Sequence, residues 1–265
     1  MSVDIVVFAK QVPDPEGSPS SYHINSAERK VEARGIPPVI NPFDESAFEM
    51  ALRIKDESGA HITLISAGSN LSRPVILKAL AAGADSALLV TDQAIEAFSL
   101  DSLATAKILA AAVGRLARFD LILCGMQASD TNAGLIGPMV ASLLGVPCVT
   151  LARKAHVEGG MLEVERVVQD AYEVVLCPLP ALVTVTGEAG ELRYPSLQAI
   201  KGAKEIPQET LGLSDLQLDL FSPPRVELIS LSAPQRERRC RIVEGESGRE
   251  AGEKLAVILR EDGVL

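Results

Sequence analysis

The stretch that decides the fold is Asp120-Leu121-Ile122-Leu123-Cys124-Gly125-Met126-Gln127-Ala128-Ser129-Asp130-Thr131-Asn132-Ala133-Gly134-Leu135-Ile136-Gly137-Pro138-Met139-Val140-Ala141. Residues 120–124 read as a short apolar strand with both faces buried, and residues 134–144 as a helix. Small residues, hydroxyls and an Asp fill the turn between them. Strand, turn and helix in that order form half of a βαβ unit, whose parallel strands require a crossover connection.

The same rhythm extends in both directions. Val3-Asp4-Ile5-Val6-Val7-Phe8 is a β-branched, apolar run and reads as a doubly buried strand. Residues 11–38 carry Pro13, Pro15, Pro19, Pro37 and Pro38 and are too long for a simple connection, which makes them an excursion with a function or a partner contact. Asn41-Pro42-Phe43-Asp44-Glu45 marks a helix start, because Asn or Asp can accept from free backbone N–H groups and acids suit the first turn. Ala47, Met50, Ala51 and Ile54 then recur on one helical face. Strands are expected at 61–66, 87–91 and 148–151, and helices at 72–82, with Pro74 in the first turn, and at 101–117. This alternation predicts a doubly wound, mostly parallel α/β sheet covered on both faces.

Beyond Leu151 the rhythm changes. Residues 161–168 and 172–176, separated by Gln169-Asp170-Ala171, alternate as a β-hairpin insertion does. Residues 181–186 read as a last core strand. From Gly187 onward Gly, Pro and charge dominate up to a helical segment at 248–260, which reads as an extended C-terminal arm. The expected division is an α/β domain over 1–190, followed by 191–265 as a C-terminal arm.

Composition removes several function classes. The 265 residues include 35 acidic and 25 basic side chains, for a net charge of −10, with six Phe, three Tyr and no Trp. An acidic chain with few rings to stack on bases is a poor nucleic-acid binder. Its one basic cluster is Arg236, Arg238, Arg239 and Arg241, either a partner contact or a solvated face. Cys124, Cys148, Cys177 and Cys240, and His23, His61 and His156, are scattered without metal-ligand spacing. Asp4 stands where a signal peptide carries positive charge, and no stretch has the roughly 18 apolar residues a membrane helix needs. The expectation is a cytoplasmic protein, or a mitochondrial matrix one in a eukaryote, that is not integral to a membrane.

In a parallel sheet, anions bind beyond the carboxyl ends of the strands, where helix N-termini offer free N–H groups. The turns to consider are 8–12, 41–45, 67–69 and 125–138, of which the last has the small residues that let backbone approach a phosphate. It reads either as such a cradle or as a tight strand-to-helix turn. Walker A, G-x-G-x-x-G and G-x-S-x-G patterns are absent. Lys10 and Asp14 are either an acid/base pair or a solvated loop pair. The residues by themselves point to an adenine-nucleotide-sized anion site with no catalytic constellation.

Ala9-Lys10-Gln11-Val12-Pro13-Asp14, Asn41-Pro42-Phe43-Asp44-Glu45, Gly83-Ala84-Asp85, the 125–138 segment and Leu192-Arg193-Tyr194-Pro195-Ser196-Leu197 together resemble the β subunit of electron transfer flavoprotein, in order over nearly the whole chain. The resemblance implies an adenine nucleotide alpha hydrolase-like sheet and a heterodimer whose α subunit holds an electron-carrying FAD. It also implies AMP in the β chain or, in the bifurcating and nitrogen-fixation-associated branch, a second FAD at the same place. By position, the implied nucleotide contacts are Phe8, Ala9, Asn41, Pro42, Phe43, Asp44 and Ala67, with Asp130, Thr131, Asn132, Ala133, Gly134, Leu135, Ile136, Gly137, Pro138, Met139, Val140 and Ala141. The resemblance makes 1–190 a nucleotide-binding domain and 191–265 a recognition loop with a C-terminal arm docking on the α subunit, and Arg193, Tyr194 and Leu197 fall in that loop, which docks on an acyl-CoA dehydrogenase-like or other redox partner.

The implied role is an electron carrier shuttling electrons between dehydrogenases and a downstream acceptor, oxidising NADH only if it bifurcates. That branch typically has an Arg and a Gln where this chain has Met126 and Leu135, while Gln11-Val12-Pro13-Asp14 and Gly137-Pro138 look closer to it. A stand-alone adenine-nucleotide-binding regulatory module is the reading from another class.

Overall fold

The computed structural model describes residues 3–218, 226–233 and 240–264. The chain forms two compact units, Met1–Ser230 and Leu231–Leu265. In the first, the chain runs through β1 (Asp4–Phe8), β2 (Gln11–Pro13), β3 (Tyr22–Asn25), β4 (Lys30–Ala33), β5 (Pro38–Ile40), α1 (Pro42–Ser58), β6 (His61–Gly68), α2 (Arg73–Ala82) and β7 (Ser86–Thr91). It continues through α3 (Ser102–Val113), β8 (Leu121–Gly125), α4 (Ile136–Leu144), β9 (Cys148–Glu158), β10 (Met161–Val168), β11 (Ala171–Pro178), β12 (Ala181–Val185), α5 (Leu197–Gly202) and β13 (Gln208–Leu211). The second unit contains α6 (Gly248–Glu261), whose Val257 and Ile258 share a cavity with Ile242 and Val243.

Nine strands make one sheet in the order β11-β10-β9-β12-β8-β1-β6-β7-β13. All pairs from β9 to β13 are parallel, whereas β10 pairs antiparallel with β9 and β11. The uninterrupted apolar runs have the burial they require. Ile5 and Val7 of β1 and Leu121 and Leu123 of β8 pack with α1 and α2 on one face. Val6, Phe8, Ile122 and Cys124 pack with α3 and α4 on the other. The sheet is therefore covered on both sides, as βαβ crossovers impose.

Helix boundaries follow local chemistry. Gly59, at φ 68°, ends α1 with its N–H donating to the Lys55 carbonyl (2.8 Å), a conformation glycine adopts without a Cβ penalty. Asp101 caps α3, its carboxylate accepting from the Leu103 and Ala104 N–H groups. Asp85 of the Gly83-Ala84-Asp85 element accepts from Lys55 Nζ (2.7 Å) and the Ile62 N–H (2.8 Å), tying α1 to β6 and the start of β7.

Three stretches depart from the sequence expectation. The 11–38 excursion returns to its origin, because β2 pairs antiparallel with β5 and β3 with β4. Its hairpin is held by Lys30 to Glu96 (2.7 Å) and by the Arg29 guanidinium donating to the Leu228 carbonyl (2.5 Å). β9 does not stop at Leu151: that residue, at φ 63°, forms a bulge past which the strand leaves β12 for β10. The charged Arg153 and Lys154 hide this continuation, which is solvated on one face. β12 is an inner strand between β8 and β9, and residues 187 onward are not simply an arm, since β13 extends the sheet beside β7. The first compact unit accordingly runs past residue 190, to Ser230. β13 is mostly exposed and polar, which is why no apolar pattern announces it.

Gly137 marks the closest approach of helix to sheet. A Cβ there would lie 2.5 Å from Thr184 Cγ2 and 3.1 Å from Cys124 Sγ, both on buried residues. Gly137→Ala is expected to cost about 1–3 kcal/mol through overpacking, read from the midpoint of urea unfolding.

Candidate functional site

β1 and β8 lie side by side, but the chain travels from β1 to β6 and β7 on one flank before returning to β8 on the other. Strand order reverses between them, and in such sheets the crevice beyond the carboxyl ends at that point is where ligands bind. Its two lips are the segments that follow these strands, with α1 rising from one and α4 from the other.

The first turn of α1 binds the lips together. Asn41 occupies the capping position, yet its side chain does not cap α1. Its Nδ2 donates to the Gln127 carbonyl (2.8 Å), its Oδ1 accepts from the Ser129 N–H (3.0 Å), and its own N–H donates to the Lys10 carbonyl (2.8 Å). Three residues on, Asp44 accepts from the Lys10 N–H at Oδ2 and from the Gly125 N–H at Oδ1, each at 2.8 Å. Two side chains thus fix the ends of β1 and β8 and the start of the loop after β8. Gly125 is required: a Cβ there would sit 2.6 Å from Phe43 Cβ and 2.7 Å from Asp44 Oδ1.

Asp44 is buried, and burial pushes its carboxyl up to about 6, against the pull of the Lys10 and Gly125 N–H donors, the Asn41 side chain and the Lys10 charge. Gln11 makes a similar tie to the next lip, its Nε2 donating to the Asn70 carbonyl and its Oε1 accepting from the Ser72 N–H, both at 2.6 Å. That Gln11 serves the start of α2, in place of a Ser72 cap, is invisible in the sequence.

The far lip is suited to an anion. The first N–H groups of α4 have no acceptor inside the helix, and Leu135 at the cap position supplies no side-chain acceptor, nor does the first turn hold an acid. The starts of α3 and α5, by contrast, are capped by Asp101 and Ser196. Upstream, Asn132 (φ 51°) and Gly134 (φ 64°) turn the backbone through left-handed conformations, and Gln127 Nε2 donates to Asn132 Oδ1 (3.1 Å). Exposed N–H groups at a helix start with such a turn before it make an anion cradle.

The expected contacts are distributed unevenly around this crevice. Asn41, Pro42, Phe43, Asp44 and the exposed Asp130, Thr131, Asn132, Ala133, Gly134 and Leu135 line its two lips, and Ala67 is the penultimate residue of β6, two past Ile65, the last of that strand paired with β1. The side chains of Phe8, Ala9, Val140 and Ala141 are buried in the two cores, so they offer a ligand backbone or support. Gly137 is buried under the helix start, Pro138 is exposed, and Ile136 and Met139 are half-buried. Lys10 and Asp14 do not form a pair. The Asp14 carboxylate accepts from the Glu16 N–H (3.0 Å) and its carbonyl from the Tyr22 hydroxyl, while Lys10 reaches across to Asp130.

A second feature lies along α1. The Arg193 guanidinium donates to both oxygens of Glu49 (3.0 and 2.9 Å) and to Asp56 (2.8 Å), and its N–H also reaches Glu49 (3.0 Å). Burial works to raise the Glu49 carboxyl, but the bonds and charge of Arg193 and the charge of Arg53 outweigh it and hold the group below the ordinary carboxylate range. Arg193 therefore anchors the loop from inside, whereas Tyr194 (94% exposed) and Leu197 (79%) project from it. Of the basic cluster, Arg236, Arg238 and Arg239 lie outside the described residues.

The fold and the crevice define a doubly wound α/β protein with a candidate anion site at its strand-order reversal. Residues 30–216 match the family model described as the electron transfer flavoprotein domain. The β subunit of electron transfer flavoprotein from Thermoanaerobacterium thermosaccharolyticum is 35% identical over 249 residues, covering 92% of this chain and 93% of that one. The corresponding Clostridium acetobutylicum subunit is 37% identical over 217 residues, covering 82% and 81%. Caffeyl-CoA reductase-Etf complex subunit CarD from Acetobacterium woodii is 34% identical over 236 residues, covering 87% and 88%. The chain belongs to the electron transfer flavoprotein family, in the place of its β subunit.

Two outcomes follow. Because Asp44 titrates higher in the folded chain than the ordinary carboxylate value near 4, the folded state holds the extra proton between them. Its contribution is full below pH 4 and is lost as pH rises through about 6, a swing on the order of 2–3 kcal/mol. The stability of the wild type minus that of Asp44→Asn, from urea unfolding at each pH, should rise on going from pH 7 to pH 4. Glu49→Gln should speed amide hydrogen exchange at 191–197 with the central sheet unchanged, at a cost of about 1–3 kcal/mol for the lost charged partner.

Proposed function

We propose that the crevice between β1 and β8 holds the AMP moiety of an adenine nucleotide, either AMP itself or part of a second FAD. The observation that carries this reading is the uncapped, acid-free start of α4, set against β1 by the Asn41 and Asp44 bonds. The Thr131 and Asn132 N–H groups donate to the Ala128 carbonyl (3.3 and 2.8 Å), so the N–H groups of 133–137 would face the phosphate, and Asn41 and Asp44 keep the two lips at a fixed separation. Met126 and Leu135 add no charge or hydrogen bond of their own side chains.

The chain works beside an α subunit, and the flavin of the pair supplies the redox chemistry while protein supplies position and electrostatics. We assign Tyr194 and Leu197 to contact with a redox enzyme, such as an acyl-CoA dehydrogenase, in the cytoplasm. A small exposed anchor on a loop held firmly from beneath suits a partner that must dock and leave quickly. The relative named as a subunit of a caffeyl-CoA reductase complex supports a redox enzyme as that partner.

The test is to purify the chain with its α subunit, denature it and identify the released nucleotides. One FAD with one AMP per heterodimer is the plain carrier. Two FAD make the chain a bifurcating subunit that oxidises NADH with its own flavin. A flavin-free homodimer that binds nucleotide alone would replace both with a regulatory module, and release of no adenine nucleotide would overturn the site itself.

A further inference from the structure

Lys10 is fixed by its backbone on both sides. Its N–H donates to Asp44 and its carbonyl accepts from Asn41, each at 2.8 Å. From that point its side chain spans the crevice, and Nζ lies 2.7 Å from both Oδ1 and Oδ2 of Asp130 on the opposite lip. The loop carrying Asp130 is pinned by Asn41 as far as Ser129 and is helical again from Ile136. The six residues between, 130–135, are exposed and include the left-handed Asn132 and Gly134. Within this segment the Thr131 and Asn132 N–H groups donate to the Ala128 carbonyl (3.3 and 2.8 Å), and the ion pair ties it across the crevice to Lys10, two residues past the end of β1.

Resting on the nucleotide reading above, we infer that the Lys10–Asp130 ion pair is a strap that positions residues 130–135, so that the N–H groups of 133–135 and those opening α4 converge on the ligand's phosphate. Both are positioning residues. Lys10 gives its charge to Asp130, and Asp130, with both oxygens engaged, no longer repels an anion beside it. The pair is 42% and 29% exposed, so it adds little to global stability. Its effect is local, on a segment whose ordering otherwise falls on the ligand when it binds.

The test uses the heterodimer freed of nucleotide, with Lys10→Met, Asp130→Asn and the charge-reversed pair Lys10→Asp with Asp130→Lys. Each single variant should raise hydrogen exchange at Thr131 and Asn132, whose N–H groups donate to the Ala128 carbonyl, about tenfold with the sheet unchanged. Each should also weaken AMP about tenfold with adenosine changed less than twofold, because the strap acts at the phosphate end. The reversed pair should recover most of both. Unchanged exchange overturns the strap whether or not nucleotide binds. A loss of AMP affinity in Lys10→Met but not in Asp130→Asn also overturns it, making Lys10 a direct phosphate contact, as does a reversed pair no better than the singles. A wild-type heterodimer that binds neither AMP nor FAD overturns the nucleotide reading and the strap together.

Discussion

The structure turns on the first turn of α1, where two buried polar side chains take up backbone groups from three other places. Asp44 accepts the N–H groups that follow β1 and end β8, and Asn41 bonds the carbonyl of Gln127 and the N–H of Ser129. These are groups that strand ends leave unpaired, and burial without partners would cost on the order of 1–3 kcal/mol each. Meeting them with side chains fixes where β1 stops relative to β8. Everything at the crevice depends on that distance, including the close contact that admits only glycine at 125.

The same helix sets the second functional surface. Glu49 lies five residues past Asp44, about 7–8 Å along the axis at 1.5 Å per residue, and holds Arg193 through three donors. Glycine at 190 fits the arrangement, since a Cβ there would come within 2.9 Å of the Arg53 guanidinium, which itself pairs with Glu49. One rigid element therefore carries the crevice at its first turn and the 191–197 loop a turn later. Their mutual geometry is as constant as the packing of α1, whose Ala47, Phe48 and Ala51 are buried in the core.

Much of this was legible in the sequence because burial on both faces leaves apolar runs that nothing else produces. β1, β6, β7, β8 and β12 are of that kind, and the family resemblance in the 9–14, 41–45 and 125–138 segments agreed with where the strand ends fall. What was hidden lacks a local signature. β13 is an edge strand of Gln, Glu and Thr before its one buried Leu211. β9 changes partner at a bulge. Asn41 looks like a cap by position, yet its side chain serves a loop 86 residues away. Lys10 had Asp14 as a neighbour in sequence, but its partner is 120 residues on. Arg193 counted as a docking residue because the resemblance puts it in the docking loop, and only the position of Glu49 beneath it shows that it faces inward.

An anion site proposed on an acidic chain raises a question of sign. The net charge of −10 acts over the whole surface, but exposed charges more than about 8–10 Å away are screened at physiological salt, so the local inventory decides. Two carboxylates stand at the crevice, and neither is free to repel a phosphate at full strength. Asp130 is neutralised at 2.7 Å by Lys10, and the charge of Asp44 is spread over two N–H donors at the positive end of α1. The first turn of α4 carries no acid at all. The residual local field is that of unpaired N–H groups, which favours a phosphate. In the proposed docking, the rest of the chain's net negative charge biases which partner surfaces the exposed Tyr194 and Leu197 can approach.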